Sequence, residues 1–316
     1  MSGSSQPHVK TAARSLMALS LALTLSVASP DAHAGGDASQ PRGQPTHAIE
    51  DVADFAKQIE RDLARREARI AIVFRSGRAR EELPGGVRYT HGAFWVYSTI
   101  QGADGQTHQG YSVHNLYHGA EDRRRSYLHQ DWPVDFVNGD VIGEVGVIIP
   151  SPEMQRRLIE MMQDGRYEAL HRDDYSLVSN PLDPLYQNCN EFMLDVIAGA
   201  TWQTHSLPQI KANLEAYFEP SPLKISIFQR MFAPTADERI RLEDHEGPIR
   251  TATFASMGEF MMQYGLASEV YEIRAEFMYP PEPVTPPPVL PSDAPATQAP
   301  TPTPERSYTS VRPGEG

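Results

Sequence analysis

The sequence predicts an α+β protein in which an antiparallel sheet packs against a helix that starts at a cysteine. A helical spacing of apolar residues begins directly after Cys189, the only cysteine among 316 residues. The pair Asp104-Gly105 is typical of a hairpin turn and therefore predicts antiparallel neighbours. Short apolar or alternating runs typical of strands lie at 70–74, 87–100, 111–117 and 141–150.

Helices are predicted before and after these strands. Residues 49–69 carry apolar side chains on one stripe and charges elsewhere, which indicates an amphipathic helix. Pro152 is well placed as the first residue of a second helix. Periodicity predicts further helices at 207–217 and 254–264, and residues 270–277 form either a last strand or a helix extension.

The two ends of the chain differ in composition from its middle. Residues 1–34 have a basic leader, an apolar run and the site Ala32-His33-Ala34, which predicts a signal peptide cleaved near Ala34. Residues 35–47 are predicted to be a flexible lead-in, and residues 279–316 a disordered, proline-rich tail. Residues 48–278 suffice for a single globular α+β domain.

The predicted signal and the charge bear on location and partners. We expect the mature chain to be periplasmic or secreted. The apolar run of the signal is too short for a comfortable span, so no transmembrane span is expected in the mature chain; an uncut anchor is the alternative. The formal net charge of −13, without a basic run after the signal, argues against a nucleic-acid partner.

Cys189 is predicted to lie at the first position of its helix. Asn188 is a good N-cap, Glu191 completes the spacing of a capping box, and Gly199 is expected to close the helix. The helix dipole and a partner imidazolium should lower the pKa of the thiol, whereas burial acts against them. A lone thiol in an oxidising compartment needs a reason, which is either catalysis or inert burial.

His91, on the second predicted strand, is the best base for such a thiol. If Asp104 and Gly105 are the two central residues of the turn, His91 lies directly across from His118, and His114 lies opposite Trp95. His118, or failing that His114 or Asn115, would orient the imidazole of His91 from the neighbouring strand. A longer loop would change this register.

Metal binding is the competing use of these histidines. His114 and His118 share one face of a strand, and His91 could join them. The sequence has no acidic residue at an obvious ligand spacing beside them and no His-Glu-x-x-His motif, so we expect no metal. It also lacks a glycine-rich phosphate loop and a Gly-x-Ser-x-Gly elbow, and we expect no cofactor.

The order of these parts, a histidine strand followed by a cysteine helix, resembles the circularly permuted papain-like superfamily. That group includes lecithin retinol acyltransferase-like proteins and relatives of the NlpC-type cell-wall hydrolases. The segments 89–94 and 186–192 look like its two signature segments, in the reverse of the ordinary papain order. Through residues 88–91, 115–117, 131–136 and the Cys189 segment, the chain also resembles, over residues 48–273, an exported bacterial family of unassigned function.

The resemblance implies a permuted papain-like fold and an exported cysteine-dependent hydrolase or acyltransferase. Its substrate would be an unidentified peptide or acyl group of the cell envelope, cleaved at an amide or ester bond, with Cys189 as nucleophile, His91 as base, and His118 or Asn115 as the orienting residue. The alternative is a catalytically silent envelope binding or scaffolding protein that keeps the papain-like shell. An enzyme should bring Cys189 and His91 within hydrogen-bond or near-contact reach, and side chains on opposite sides of the sheet would end the catalytic interpretation.

Overall fold

The structure, a computed structural model, describes residues 47–78, 80–102, 105–138, 143–224 and 237–278. The predicted signal peptide and the predicted tail lie outside the described residues, and so does the predicted lead-in except for its last residue, His47. The boundaries proposed at Ala34 and after Met278 therefore stay predictions.

A six-stranded antiparallel sheet forms the centre of the described fold, in the strand order β4-β3-β2-β1-β5-β8. A short second pair joins β6 to β7. The strands are β1 (Ile70–Arg75), β2 (His91–Gln101), β3 (Thr107–His118), β4 (Ser126–Asp131), β5 (Glu144–Pro150), β6 (Ser221–Pro222), β7 (Arg250–Thr251) and β8 (Ala267–Arg274). The predicted α+β class with an antiparallel sheet is confirmed.

Helices cover both faces of this sheet. They are α1 (Ile49–Arg65), α2 (Pro133–Val137), α3 (Pro152–Gln163), α4 (Arg166–Ala169), α5 (Cys189–Trp202), α6 (Leu207–Tyr217) and α7 (Phe254–Gln263). The buried side chains of α1 and α2 pack on one face, together with Ala93 and Trp95 of β2. Those of α3 to α7 pack on the other face, where Phe94 points. Because side chains alternate between the two faces along β2, this strand contributes residues to two separate cores.

The register of the β2–β3 hairpin differs by one residue from the predicted register. Phe94 pairs with His114, whereas the prediction placed His114 opposite Trp95. The cause is a loop longer than a two-residue turn, in which the Gly102 N–H donates to the Gln106 carbonyl at 2.7 Å. A shift of one residue exchanges the faces of a strand. The predicted position of His118 directly across from His91 is therefore wrong.

The end of α5 was also predicted wrongly. The helix continues past Gly199 to Trp202, and Gln203 adopts the left-handed conformation at φ 52° and ψ 45°. The absence of a side chain at Gly199 serves packing, because a Cβ there would lie 2.9 Å from the Thr204 carbonyl oxygen. Gly199 is therefore explained by close packing within the helix and not by the end of the helix.

Helix α5 is buried on every side from Cys189 to Ala200. Two of its buried side chains are acidic, and Lys211 of α6 lies 2.6 Å from Glu191 and 2.8 Å from Asp195. The Asn188 side chain accepts the predicted bond from the Glu191 N–H, but the Glu191 carboxylate contacts Lys211. Burial, opposed by the charge of Lys211, raises the pKa of Glu191 to about 8.

One lysine cannot neutralise two buried carboxylates, so one of them holds a proton near neutral pH. Glu191 is the better candidate, because its Oε2 has no hydrogen-bond partner, whereas Asp195 also accepts from Gln187 at 2.9 Å. The short distance between Lys211 and Glu191, taken alone, is typical of two charged groups. The balance of one buried cation against two carboxyl groups nevertheless assigns the proton to Glu191.

Replacing Lys211 with Met should destabilise the protein by about 3 kcal/mol or more, because both carboxyl groups lose their buried cation. Glu191→Gln should be close to neutral at pH 7. The raised pKa of Glu191 stabilises the fold at low pH, and this contribution is lost as the pH rises from about 4.5 through about 8. Urea unfolding of both variants and the parent between pH 5 and pH 9 measures these differences. Equal pH profiles for parent and Glu191→Gln would contradict the assigned proton.

Candidate active site

The strands β2 and β3 separate at one end of the sheet. Their ladder stops at Phe94 and His114, although β2 begins at His91 and β3 continues to His118 along β4. The N–H of Gly92, which the β2–β3 ladder does not use, is close enough to the Cys189 sulfur to lower the pKa of the thiol, and the Thr90 carbonyl lies 4.0 Å from that sulfur. The thiol therefore lies at the gap between the two strands.

Gly92 allows this approach of α5. A Cβ at that position would lie 2.3 Å from Cε of Met193 and 2.9 Å from the ring of Phe74. Because real Cβ atoms do not come so close to other atoms, a larger residue would push the first turn of α5 away from β2. The start of the cysteine helix is thus set by the lack of a side chain beside His91.

Cys189 is the first residue of α5, as predicted, and is 6 % exposed. Burial raises the pKa of the Cys189 thiol, while backbone N–H groups at Gly92 and Asn190 and the charge of Arg75 lower it in part. The expected depressed pKa is therefore wrong in direction, because burial outweighs the polar groups at the helix start. The resting thiol is protonated.

His91 is held by Asn115. The His91 Nε2 lies 3.0 Å from the Asn115 Oδ1, and the Asn115 Nδ2 donates to Asp131 at 3.1 Å. Since the amide nitrogen of Asn115 faces a carboxylate, its oxygen faces His91 and accepts from the Nε2–H. This assigns the proton of the neutral imidazole to Nε2 and leaves the lone pair on Nδ1.

The ring of His91 is enclosed by aromatic residues. Tyr117 stacks on it with centroids 5.1 Å apart, and Phe136 of α2 lies at 5.8 Å. Burial, with the charge of Arg75 as a second cause, lowers the pKa of His91 to about 3. The imidazole is therefore neutral at physiological pH and can accept a proton only when a charge nearby compensates it.

His114 and His118 of β3 lie on the face of the sheet opposite to His91. His118 accepts from Arg239 at Nε2 and donates from Nδ1 to the Gly119 carbonyl, both at 3.0 Å. His114 lies 3.0 Å from the Ser112 hydroxyl, and burial lowers its pKa to about 4. Asn115, rather than His118, makes the described hydrogen bond to His91.

His91 and Cys189 lie beside different hydrophobic cores. His91 contacts Phe136 in the core beneath α1 and α2, whereas Cys189 belongs to the core around α5. This placement weighs against a preformed catalytic pair. At the gap, however, no β2–β3 ladder lies between the thiol and the imidazole, and Arg75 is electrostatically close to both.

Two polar residues of the site were not predicted. Arg75 ends an apolar strand run, and its place beside His91 follows from the pairing of β1 with β2. Asp131 accepts from Asn115 and from Tyr117, the latter at 2.5 Å, and lies 3.2 Å from His129. An arginine directly after five apolar residues was the available signal for Arg75.

The fold and the site define a class: an α+β protein with a buried thiol at a helix start beside a histidine–asparagine pair. The chain belongs to the family described as uncharacterized proteins conserved in bacteria, DUF2145, whose family model matches residues 62–261, more than half of the sequence. No curated protein and no solved structure matches the chain. Arg75, His91, Asn115 and Cys189 all lie within the matched range.

Two further properties concern only the residues that the structure describes. Within them, no group of three or more histidine, cysteine, aspartate or glutamate residues is arranged to hold a metal ion. In the same ranges, no helix combines the length and the apolar character needed to cross a bilayer.

The lowered pKa of His91 predicts an acid-sensitive fold. A neutral buried imidazole stabilises the protein fully above pH 6.5, and this contribution is lost as the pH falls towards about 3. Between pH 6.5 and pH 4 the parent should lose about 3 kcal/mol more than His91→Gln, measured by urea unfolding. The exposed His108→Gln serves as control and should follow the parent. A His91→Gln profile parallel to the parent would contradict a buried, neutral His91.

Proposed function

We propose that the protein is an exported cysteine-dependent hydrolase or acyltransferase with a permuted papain-like arrangement. Its substrate is an amide or ester bond in the cell envelope, and the predicted signal peptide supplies the export. The observation that carries the proposal is the 3.0 Å bond between His91 Nε2 and Asn115 Oδ1, at the gap where the Cys189 thiol lies. Because this bond uses Nε2, the other imidazole nitrogen, Nδ1, is available to accept a proton from the thiol.

The chemistry starts from two neutral groups. Nδ1 of His91 takes the thiol proton while the sulfur of Cys189 attacks the carbonyl carbon of the substrate. The imidazolium then returns this proton to the leaving amine or alcohol, and a thioester remains on Cys189. Water releases the acyl group in a hydrolase, and an acceptor alcohol or amine does so in an acyltransferase.

Asn115 and Asp131 support the charged intermediate. The Asn115 oxygen keeps the imidazolium oriented, and the nearby Asp131 charge favours the protonated ring. Free N–H groups at the start of α5, which contact the resting sulfur, are the available donors for the carbonyl oxygen as it gains charge. The reaction also requires Nδ1 and the thiol to come into hydrogen-bond reach through the gap.

A catalytically silent envelope binding or scaffolding protein is the second candidate. It is favoured by the placement of His91 and Cys189 beside different cores and by the burial that keeps the thiol protonated. In that case the two side chains are independent core residues. The two candidates differ in one measurable property, the coupling between thiol and imidazole.

Alkylation of Cys189 by iodoacetamide, followed by mass spectrometry between pH 5 and pH 10, measures this coupling. In an enzyme, His91→Ala should slow labelling at pH 7 by about tenfold or more, because the proton acceptor is lost. Asn115→Ala should slow it less, because the imidazole stays but is misoriented. His114→Ala is the matched control, since it removes a buried histidine from the opposite face of the neighbouring strand.

Incubation with p-nitrophenyl acetate tests the covalent step. An enzyme should release a burst of about one equivalent of nitrophenol and gain one acetyl group on Cys189, and Cys189→Ser should lose the thioester. Equal labelling rates and midpoints for the parent and His91→Ala, without an acetyl-enzyme, would instead establish the binding protein.

A further inference from the structure

Arg75 is a buried cation that no carboxylate of the described residues neutralises. It is the last residue of β1 and is 6 % exposed, and its Nε has no hydrogen-bond partner. Among the residues that the structure describes, no carboxylate forms an ion pair with it. Its guanidinium lies over the ring of Phe136, 5.3 Å from the centroid. A ring face stabilises a cation only in part, so the charge is under-compensated.

Other buried cations of this chain have acidic partners. Lys211 lies between Glu191 and Asp195, and Arg239 binds Asp237 at 2.5 Å. The fold can therefore supply carboxylates where a buried charge needs one. Asp131, the acidic group nearest to the imidazole in the network, is held instead by Asn115, Tyr117 and His129. Arg75 differs from these two cations because its polar side-chain contact is the neutral hydroxyl of Tyr117, and no carboxylate among the described residues pairs with it.

The position of Arg75 indicates what kind of group could neutralise its charge. Arg75 pairs with His91 across the β1–β2 ladder, and its charge acts on both His91 and Cys189. A guanidinium group presents a planar fork of N–H donors that matches an oxyanion such as a carboxylate or phosphate. An oxyanion at Arg75 would lie beside the gap that holds the thiol.

We propose that Arg75 is the binding site for an oxyanion, a carboxylate or phosphate, carried by the ligand that approaches Cys189. The assignment of this oxyanion to a substrate rests on the proposed function. It narrows the substrates to amides or esters with an anionic group close to the bond that is cleaved. The anion site itself would also serve a binding protein.

The two haloacetyl reagents iodoacetate and iodoacetamide test this site. In both reactions the Cys189 thiolate forms a bond to the methylene carbon and iodide leaves with the bonding electron pair. The reagents differ in one feature, since only iodoacetate carries a carboxylate. The ratio of their rate constants at Cys189 therefore reports recognition of the anion and cancels differences in thiol reactivity.

Arg75→Met should lower the iodoacetate-to-iodoacetamide ratio by about tenfold, the loss expected for one charged hydrogen-bonded contact. Arg75→Lys should give a ratio between those of the parent and Arg75→Met, because lysine keeps the charge but lacks the planar set of N–H donors. Arg88→Met is the control for net charge, because Arg88 is exposed and pairs with Glu272. Inorganic phosphate should slow labelling of the parent and leave Arg75→Met unaffected.

A second readout does not depend on thiol reactivity. Inorganic phosphate and acetate should each raise the melting temperature of the parent more than that of Arg75→Met, and the larger rise identifies the preferred oxyanion. Without ligand, Arg75→Met should melt at the same temperature as the parent or higher, because it removes an unpaired buried charge. If Arg75→Met does not fold, Arg75→Lys carries the comparison.

Equal reagent ratios in the parent and the Arg75 variants, with equal responses to phosphate and acetate, would overturn the anion site. This failure is distinguishable from failure of the proposed function. His91→Ala should slow both reagents alike and keep their ratio, so the ratio tests Arg75 and the common rate tests His91.

Discussion

The complete burial of helix α5 is the constraint on which the rest of the site depends. Because this helix is buried on all sides, the polar groups of its first turn need partners inside the protein. Asn188 accepts one N–H of that turn, and Lys211 balances the acidic side chains. Close packing on β2 requires Gly92 and brings Cys189 to the gap between β2 and β3. The place of the thiol follows from how α5 is enclosed.

The same burial decides the charge states of the site. Removal from water raises the pKa of Cys189 and lowers that of His91, so both groups are neutral at rest. Arg75 opposes the first effect and adds to the second, since a nearby cation favours a thiolate and disfavours an imidazolium. An oxyanion bound to Arg75 would reverse both influences and help the imidazole to accept a proton. Ligand binding and proton transfer would then be linked through one arginine.

Short-range sequence patterns predicted those helices and strands whose formation depends on neighbouring residues. Strong periodicity located α1, α6 and β1 within a few residues, whereas the five residues of α2 are too few to show a period. The hairpin register depended on a loop length that Asp104-Gly105 does not specify. That shift of one residue is why Asn115, rather than His118, meets His91. Arg75 and Asp131 join the site through strand pairing, which the sequence of neither strand reveals alone.

The polar network around His91 bears on the choice between enzyme and shell. Half-exposed His129 contacts Asp131, Asp131 contacts Asn115, and Asn115 fixes His91. A histidine that only fills a core needs one hydrogen-bond partner, and an ordered chain of polar groups that reaches the surface would serve it only by adding rigidity. An imidazole that must accept and return a proton needs a fixed tautomer and a nearby negative charge, and this network supplies both. The arrangement of the partners is therefore the one that the proposed catalysis needs, although the resting charge states of the thiol and the imidazole are not.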